Sequence, residues 1–153
     1  MRRDQIATGF GSHSGEKTLM LATYPLTAIV VILSLLVYIW VAMRVGKARA
    51  KYGVHAPVVD GPVEFQRVFR VHMNTLEQLV IFLPALAIFA AAWGDQGAAI
   101  VGIFWPVGRI LYAVKYYEAA EKRGPGFGIS FLSAVVLLLG GLVGAVMHVV
   151  DTM

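Results

Sequence analysis

Four long apolar runs decide what this chain can fold into. The first, from Leu19 to Met43, holds no charged residue and exceeds the ~20 residues with which a helix crosses a bilayer. Further runs cover about 66–92, 98–118 and 129–149, and together the four take up about three-fifths of the 153 residues, too much to leave room for a second domain. Composition agrees: 58% of the chain is hydrophobic, 14% is charged and the mean hydropathy is +0.72. Soluble domains are only about 45–50% apolar. The expected fold is all-α, an integral membrane four-helix bundle in one domain from residue 19 to residue 153.

Local signals refine the spans. Residues 1–18 are polar and Gly/Ser-rich and read as a mobile tail. Arg2 and Arg3 resemble the start of a signal peptide, but the run that follows is too long for one and lacks a small-residue cleavage site. It therefore reads as a retained first span, with Pro25 in its opening turns, where proline is best tolerated. Arg44, Lys47, Arg49 and Lys51 continue its helical pattern to about Tyr52, ahead of a loop punctuated by Gly53, Pro57, Gly61 and Pro62. Pro84 is placed to kink the second span, and GDQG at 94–97 reads as a tight turn. Pro106 and Gly108 interrupt the third span, and EAAEKRGPGFG forms a second basic loop. Gly140, Gly141 and Gly144 allow close helix approach in the fourth.

The formal charge is +4 and the pI is near 9.6. In a soluble chain such a balance would raise nucleic acid as a partner. Here its distribution speaks for topology and lipid headgroups, and no nucleic acid is expected. Arg44, Lys47, Arg49, Lys51, Lys115, Lys122 and Arg123 gather after the first and third spans, against Asp95 after the second and Asp151 at the C-terminus. The positive-inside rule puts both basic loops in the cytoplasm and both termini outside. There is no cysteine, so any reactive thiol must arrive with a substrate. The histidines at 13, 55, 72 and 148 lack ligand spacing, so no metal is expected. His148 reads as interfacial.

The second span carries the anomaly. Arg70, Asn74 and Glu77 lie within roughly 60° of one another on a helix, with Arg67 and Gln78 beside them. Val71, Leu76, Leu79, Val80 and Phe82 supply apolar surface elsewhere. Charges within a membrane cost about 2.5–3.5 kcal/mol each, so such a stripe faces protein or a polar cavity. The bland alternative is an Arg70–Glu77 ion pair that only staples helices. The third span repeats the pattern: Arg109, Tyr112, Tyr116 and Arg123 share a face within about 60°, provided the helix persists to the loop. The second span begins, and the third ends, at the cytoplasmic boundary, so the two stripes can line one pocket of cations, phenols, an amide and a carboxylate.

RVFRVHMNTLEQ, followed by VGRILYAVKYY and then KR, resembles the MAPEG family, the membrane-associated proteins of eicosanoid and glutathione metabolism. The likeness is closest to its microsomal glutathione transferase 3 type, which shares a KAR-x-K-Y-like end to the first helix. It extends from about Lys47 to Arg123. The resemblance implies a homotrimer with glutathione bound between neighbouring protomers. It makes Arg70, Asn74 and Glu77 the glutathione signature of the second helix, and Tyr112 and Tyr116 contacts from the third. His72 falls at a further polar contact, Arg49 at a carboxylate contact and Arg123 at the thiol-activating arginine. Arg109 is an additional contact. Two positions depart from the leukotriene C4 synthase branch, which has arginine at Ala50 and tyrosine at Gln78. The implied activity is therefore general thiol conjugation or peroxide reduction.

The residues suit that chemistry. Glutathione brings two carboxylates, an ammonium and a thiol. Arginine pairs with carboxylates in bidentate fashion, Glu77 suits the ammonium, and Asn74 and the phenols suit the amides. A free thiol has a pKa near ~8.5, and a neighbouring cation raises its thiolate fraction. An apolar electrophile or lipid hydroperoxide would reach the thiolate from the bilayer. Two other functions use the same residues: a non-enzymatic lipid-binding or accessory member of the fold, and a small channel subunit with a polar-lined pore.

Overall fold

The computed structural model describes residues 22–153. The N-terminal tail, and the start of the first apolar run, lie outside the described residues. Five α-helices follow: α1 Pro25–Tyr52, α2 Val63–Trp93, α3 Asp95–Gly102, α4 Phe104–Glu118 and α5 Gly124–Thr152, with a 3-10 turn at Ala120–Arg123 before the last. Taking α3 with α4, and the turn with α5, four helical segments are long and apolar enough to cross a membrane. The described chain is an all-α bundle, as the sequence leads one to expect.

Its surface has the polarity of a lipid-facing protein. Ile29, Leu36, Leu132 and Leu142 are each more than half exposed, while Ser34, Thr75, Ser130 and Ser133 are buried. Those inner hydroxyls donate to helix carbonyls: Ser34 to Val30 at 2.8 Å and Thr75 to Val71 at 2.7 Å within their own helices, and Ser133 to Val101 at 2.8 Å. Small polar residues satisfied in this way are typical of packed membrane helices. The apolar core gathers around Phe82 and Trp105, stacked with centroids 4.6 Å apart, together with Leu86 and Leu137.

Several boundaries differ from expectation, each for a local reason. α1 begins on Pro25, whose missing N–H is harmless at a first helical position. It ends at Tyr52 as expected, because Gly53 takes a left-handed φ of 68° and its N–H caps Arg49 O. α2 runs through Pro84 as one helix. The turn after it is Gly94 alone, with φ 85°, and Asp95 to Gly97 already form the first turn of α3. The third span breaks at Ile103, upstream of Pro106. A proline ring clashes with the carbonyl four residues back and leaves it without a donor; here that residue is Gly102, where α3 stops.

α5 starts at Gly124, five residues before the expected 129. Its glycines are packing positions. A Cβ on Gly126 would strike the α4 backbone at Leu111 and Tyr112, and one on Gly108 would lie 2.6 Å from Ser130 N. This glycine-to-glycine crossing sets the spacing of α4 and α5 beside the polar stripes. At the far end, Cβ atoms on Gly140 and Gly144 would run into Phe89 and Ala92 of α2, and Trp93 Nε1 donates to Gly140 O at 2.8 Å.

Asp95 ties the far end together. Its carboxylate accepts from Leu26 N at 2.9 Å and from Thr27 N at 2.7 Å. It thus caps two orphan N–H groups at the start of α1 from a distant part of the chain.

Candidate functional site

Four elements enclose a cleft of about 490 Å³, within the ~300–1,000 Å³ usual for ligand pockets. α2 contributes Arg70, Met73, Asn74 and Glu77, α4 contributes Tyr112 and Tyr116, and the 3-10 turn and α5 contribute Arg123 and Phe127. Residues 70, 74 and 77 converge because steps of four and three positions return to one helix face. The cleft reaches from the middle of α2 toward the end of the bundle that carries the basic loops.

Its charged groups are largely unpaired. Arg70 and Glu77 are exposed to the cleft. The ion pairs among the described residues are Lys115–Glu118 at 3.3 Å and Lys122–Glu118 at 3.2 Å. The Arg70–Glu77 staple is therefore not formed. Glu77 Oε2 accepts one hydrogen bond, from Asn74 Nδ2 at 3.3 Å, and a carboxylate has further lone pairs to offer.

The helix carrying the second stripe does not persist to the loop. α4 stops at Glu118, Ala119 is extended with φ −160° and ψ 140°, and Arg123 arrives on the 3-10 turn. It still reaches the phenols: its guanidinium carbon lies 5.3 Å from the Tyr116 ring centroid and Nη1 lies 3.5 Å from the hydroxyl. Tyr112 meets Tyr116 edge to face at 5.5 Å. Arg67 Nη1 donates to Glu118 O at 3.0 Å, satisfying a carbonyl at the end of α4. Gln78, at a departure position, accepts from Ser130 Oγ at 3.4 Å and links α2 to α5.

Three of the predicted residues lie elsewhere. Arg109 is completely buried behind the cleft wall. His72 faces α1, stacked on Tyr38 at 5.3 Å with its Nε2 3.1 Å from the phenol oxygen. Arg49 sits in the last turn of α1 and reaches over the following loop, donating to Val54 O at 3.3 Å and Val58 O at 2.8 Å, with its guanidinium over Phe65. The structure also adds Met73 and Phe127 to the cleft. As apolar residues on lipid-length helices, they carry no signal that separates them from bilayer-facing neighbours.

Fold and cleft define a class: an integral membrane four-span bundle with a polar pocket, of both charge signs, among its second, third and fourth spans. Residues 27–143 match the MAPEG family, and this chain belongs to it. An uncharacterised protein of Synechocystis is 49% identical over 115 residues, covering 75% of this chain and 84% of its own. Human microsomal glutathione S-transferase 2 is 42% identical over 118 residues, covering 76% and 80%. Rat leukotriene C4 synthase is 29% identical over 133 residues, covering 87% and 85%.

Proposed function

We propose that this protein is a membrane glutathione transferase that binds glutathione in the cleft, ionises its thiol and delivers the thiolate to apolar electrophiles. The observation that carries the reading is the charge left open in the cleft. Arg70 and Arg123 present guanidinium groups and Glu77 presents a carboxylate, without ion pairs to one another. Glutathione supplies the complementary set of two carboxylates and an ammonium. Its thiol is the reactive group that this cysteine-free chain lacks. The names of the similar transferases and synthases point the same way.

In this reading Arg70 pairs with a carboxylate, Glu77 with the ammonium, and Asn74, Tyr112 and Tyr116 with amide and thiol groups. Arg123 is the activating cation. It favours the thiolate without titrating itself. The thiolate sulfur then forms a bond to an electrophilic carbon, and the leaving group departs with the electron pair of the broken bond. The same thiolate can attack a lipid hydroperoxide at oxygen. That step breaks the O–O bond, and protonation releases the alcohol and leaves glutathione sulfenic acid. A second glutathione converts the sulfenic acid to the disulfide and water. Met73 and Phe127 give the cleft an apolar edge toward the bilayer, from which either acceptor would come.

Arg49 and His72 enter through assembly. In the homotrimer that the family resemblance implies, the α1 side of one protomer would meet the cleft of the next and bring both residues to glutathione. By the positive-inside rule the basic loops support a cytoplasmic cleft, on the side where glutathione is supplied.

The test is a glutathione titration on purified protein, read by the ultraviolet thiolate band, followed by turnover with aryl halides and lipid hydroperoxides. Arg123→Ala is expected to keep most of the affinity while the bound thiol's pKa climbs toward the free value of ~8.5. The rate at neutral pH falls about tenfold for each unit of that rise and recovers as pH is raised. Arg123→Ala with an unchanged thiolate band and rate would remove Arg123 from the mechanism. Binding without thiolate or turnover would favour an accessory protein, and ion flux in liposomes a channel.

A further inference from the structure

Arg109 is costly to keep and lies out of a ligand's reach. It has no exposed surface, and its Nε has no hydrogen-bond partner. Neither ion pair among the described residues includes it. A buried guanidinium without a carboxylate is strongly unfavourable unless its other bonds compensate. Those bonds all run to residues of the cleft or directly beside it. Nη1 donates to Asn74 Oδ1 at 3.2 Å, Nη2 donates to Thr75 Oγ1 at 2.7 Å, and the guanidinium carbon lies 3.9 Å from the centre of the Tyr112 ring.

We infer that Arg109 is a positioning residue, which fixes the Asn74 amide and the Tyr112 ring so that the glutathione cleft is formed before ligand arrives. This rests on the glutathione reading above. Arginine only donates, so the Asn74 atom facing Arg109 must be the carbonyl oxygen. The amide nitrogen is thereby turned toward Glu77, 3.3 Å from Oε2. One buried cation thus orients an amide, and the amide orients a carboxylate that faces the cleft. On its other side the flat guanidinium covers one face of Tyr112, whose ring also meets Tyr116 edge-on at 5.5 Å and Phe127 at 6.4 Å. Thr75 anchors the arrangement to α2 through its own bond to Val71 O at 2.7 Å. Lysine would preserve the charge but not the fork or the stacking plane.

The experiment compares the full-length protein with Arg109→Lys, Asn74→Ala and their combination, measuring glutathione affinity, the pH dependence of the thiolate band and the melting temperature. Arg109→Lys keeps the buried charge with fewer compensating bonds, so it is expected to melt below wild type, and its folded fraction should bind glutathione about tenfold more weakly, the scale of one charge-assisted contact. In the Asn74→Ala background the same change should cost markedly less, because residues that act through one another are not additive. A purely structural role would lower the melting temperature and leave affinity in the folded fraction unchanged. Wild-type affinity in Arg109→Lys, or full additivity with Asn74→Ala, overturns the inference while the glutathione reading stands. If Arg109→Lys does not assemble, Thr75→Val removes one anchor and keeps the cation. It must then weaken affinity, and wild-type affinity in Thr75→Val overturns the inference equally. Wild-type protein that binds no glutathione defeats the functional reading itself.

Discussion

Replacing Gly126 with alanine should separate two helices by a measurable amount, with Gly128→Ala as a control one turn-half away. The Cβ added at 126 would lie 2.6 Å from Tyr112 Cα and 2.8 Å from the Leu111 carbonyl carbon. Carbon pairs rest at about 3.5–4.0 Å, so α4 and α5 must move apart by about 1 Å. The obstacle is backbone, so no side-chain rotation relieves it. Overpacking of this kind costs about 1–3 kcal/mol, and the upper end applies here. The displaced segment holds Tyr112, and a 1 Å misplacement at a reacting site costs about a hundredfold in rate. Gly128 has nothing within 4 Å of its added Cβ, and alanine has the better helix propensity. Gly128→Ala should melt at or slightly above the wild-type temperature with full activity. Melting curves in detergent test the packing argument independently of function, and glutathione turnover tests its consequence for the cleft. A Gly126→Ala protein that melts and turns over like wild type would refute the reasoning, as would equal damage from Gly128→Ala.

Asp95→Ala should lower the melting temperature by uncapping α1, and Asp95→Asn, which keeps one acceptor, should lower it less; equal melting of all three proteins would dismiss the cap. For orientation, His55→Cys and Gly124→Cys should label with an impermeant thiol reagent from the cytoplasmic side only. This chain has no native cysteine to interfere. Labelling of both from the opposite side would invert the topology and the proposed route of glutathione.

The spans were legible because a bilayer enforces long uncharged runs, and the stripe at Arg70, Asn74 and Glu77 because a membrane helix tolerates such residues only for a reason. What sequence periodicity could not give was depth. Arg109 and Tyr112 share a helical arc, yet one is sealed behind the wall and the other lines the cleft. Angle alone does not say how far a side chain lies from the cleft. The GPGFG run read as loop because glycine is a poor helix former. The structure uses its second glycine for a close crossing, a purpose that only the neighbouring helix reveals. The break at Ile103 follows from Pro106 acting backwards on Gly102, a signal present in the sequence but assigned to the proline itself. Asp95 looked like a turn charge, and its partners are nearly seventy positions away.

The polar groups of the spans divide into those the fold has satisfied and those it has left open. Arg67, Gln78 and Asp95 bond to helix ends or neighbouring helices, whereas Arg70 and Glu77 meet in the cleft without an ion pair. Open charges on lipid-length helices are unfavourable, so a ligand that pairs with them should stabilise the bundle as well as bind. Glutathione at a hundred times its dissociation constant would add about 2.7 kcal/mol to the folded state by mass action. S-methylglutathione should raise the melting temperature comparably, because the carboxylate and ammonium contacts do not involve the thiol. Glu77→Gln loses a charge-assisted contact worth about 1.5–3 kcal/mol, and should need roughly ten- to hundredfold more ligand for the same shift. If saturating glutathione leaves the wild-type melting temperature where it was, the open charges of the cleft are not waiting for this ligand.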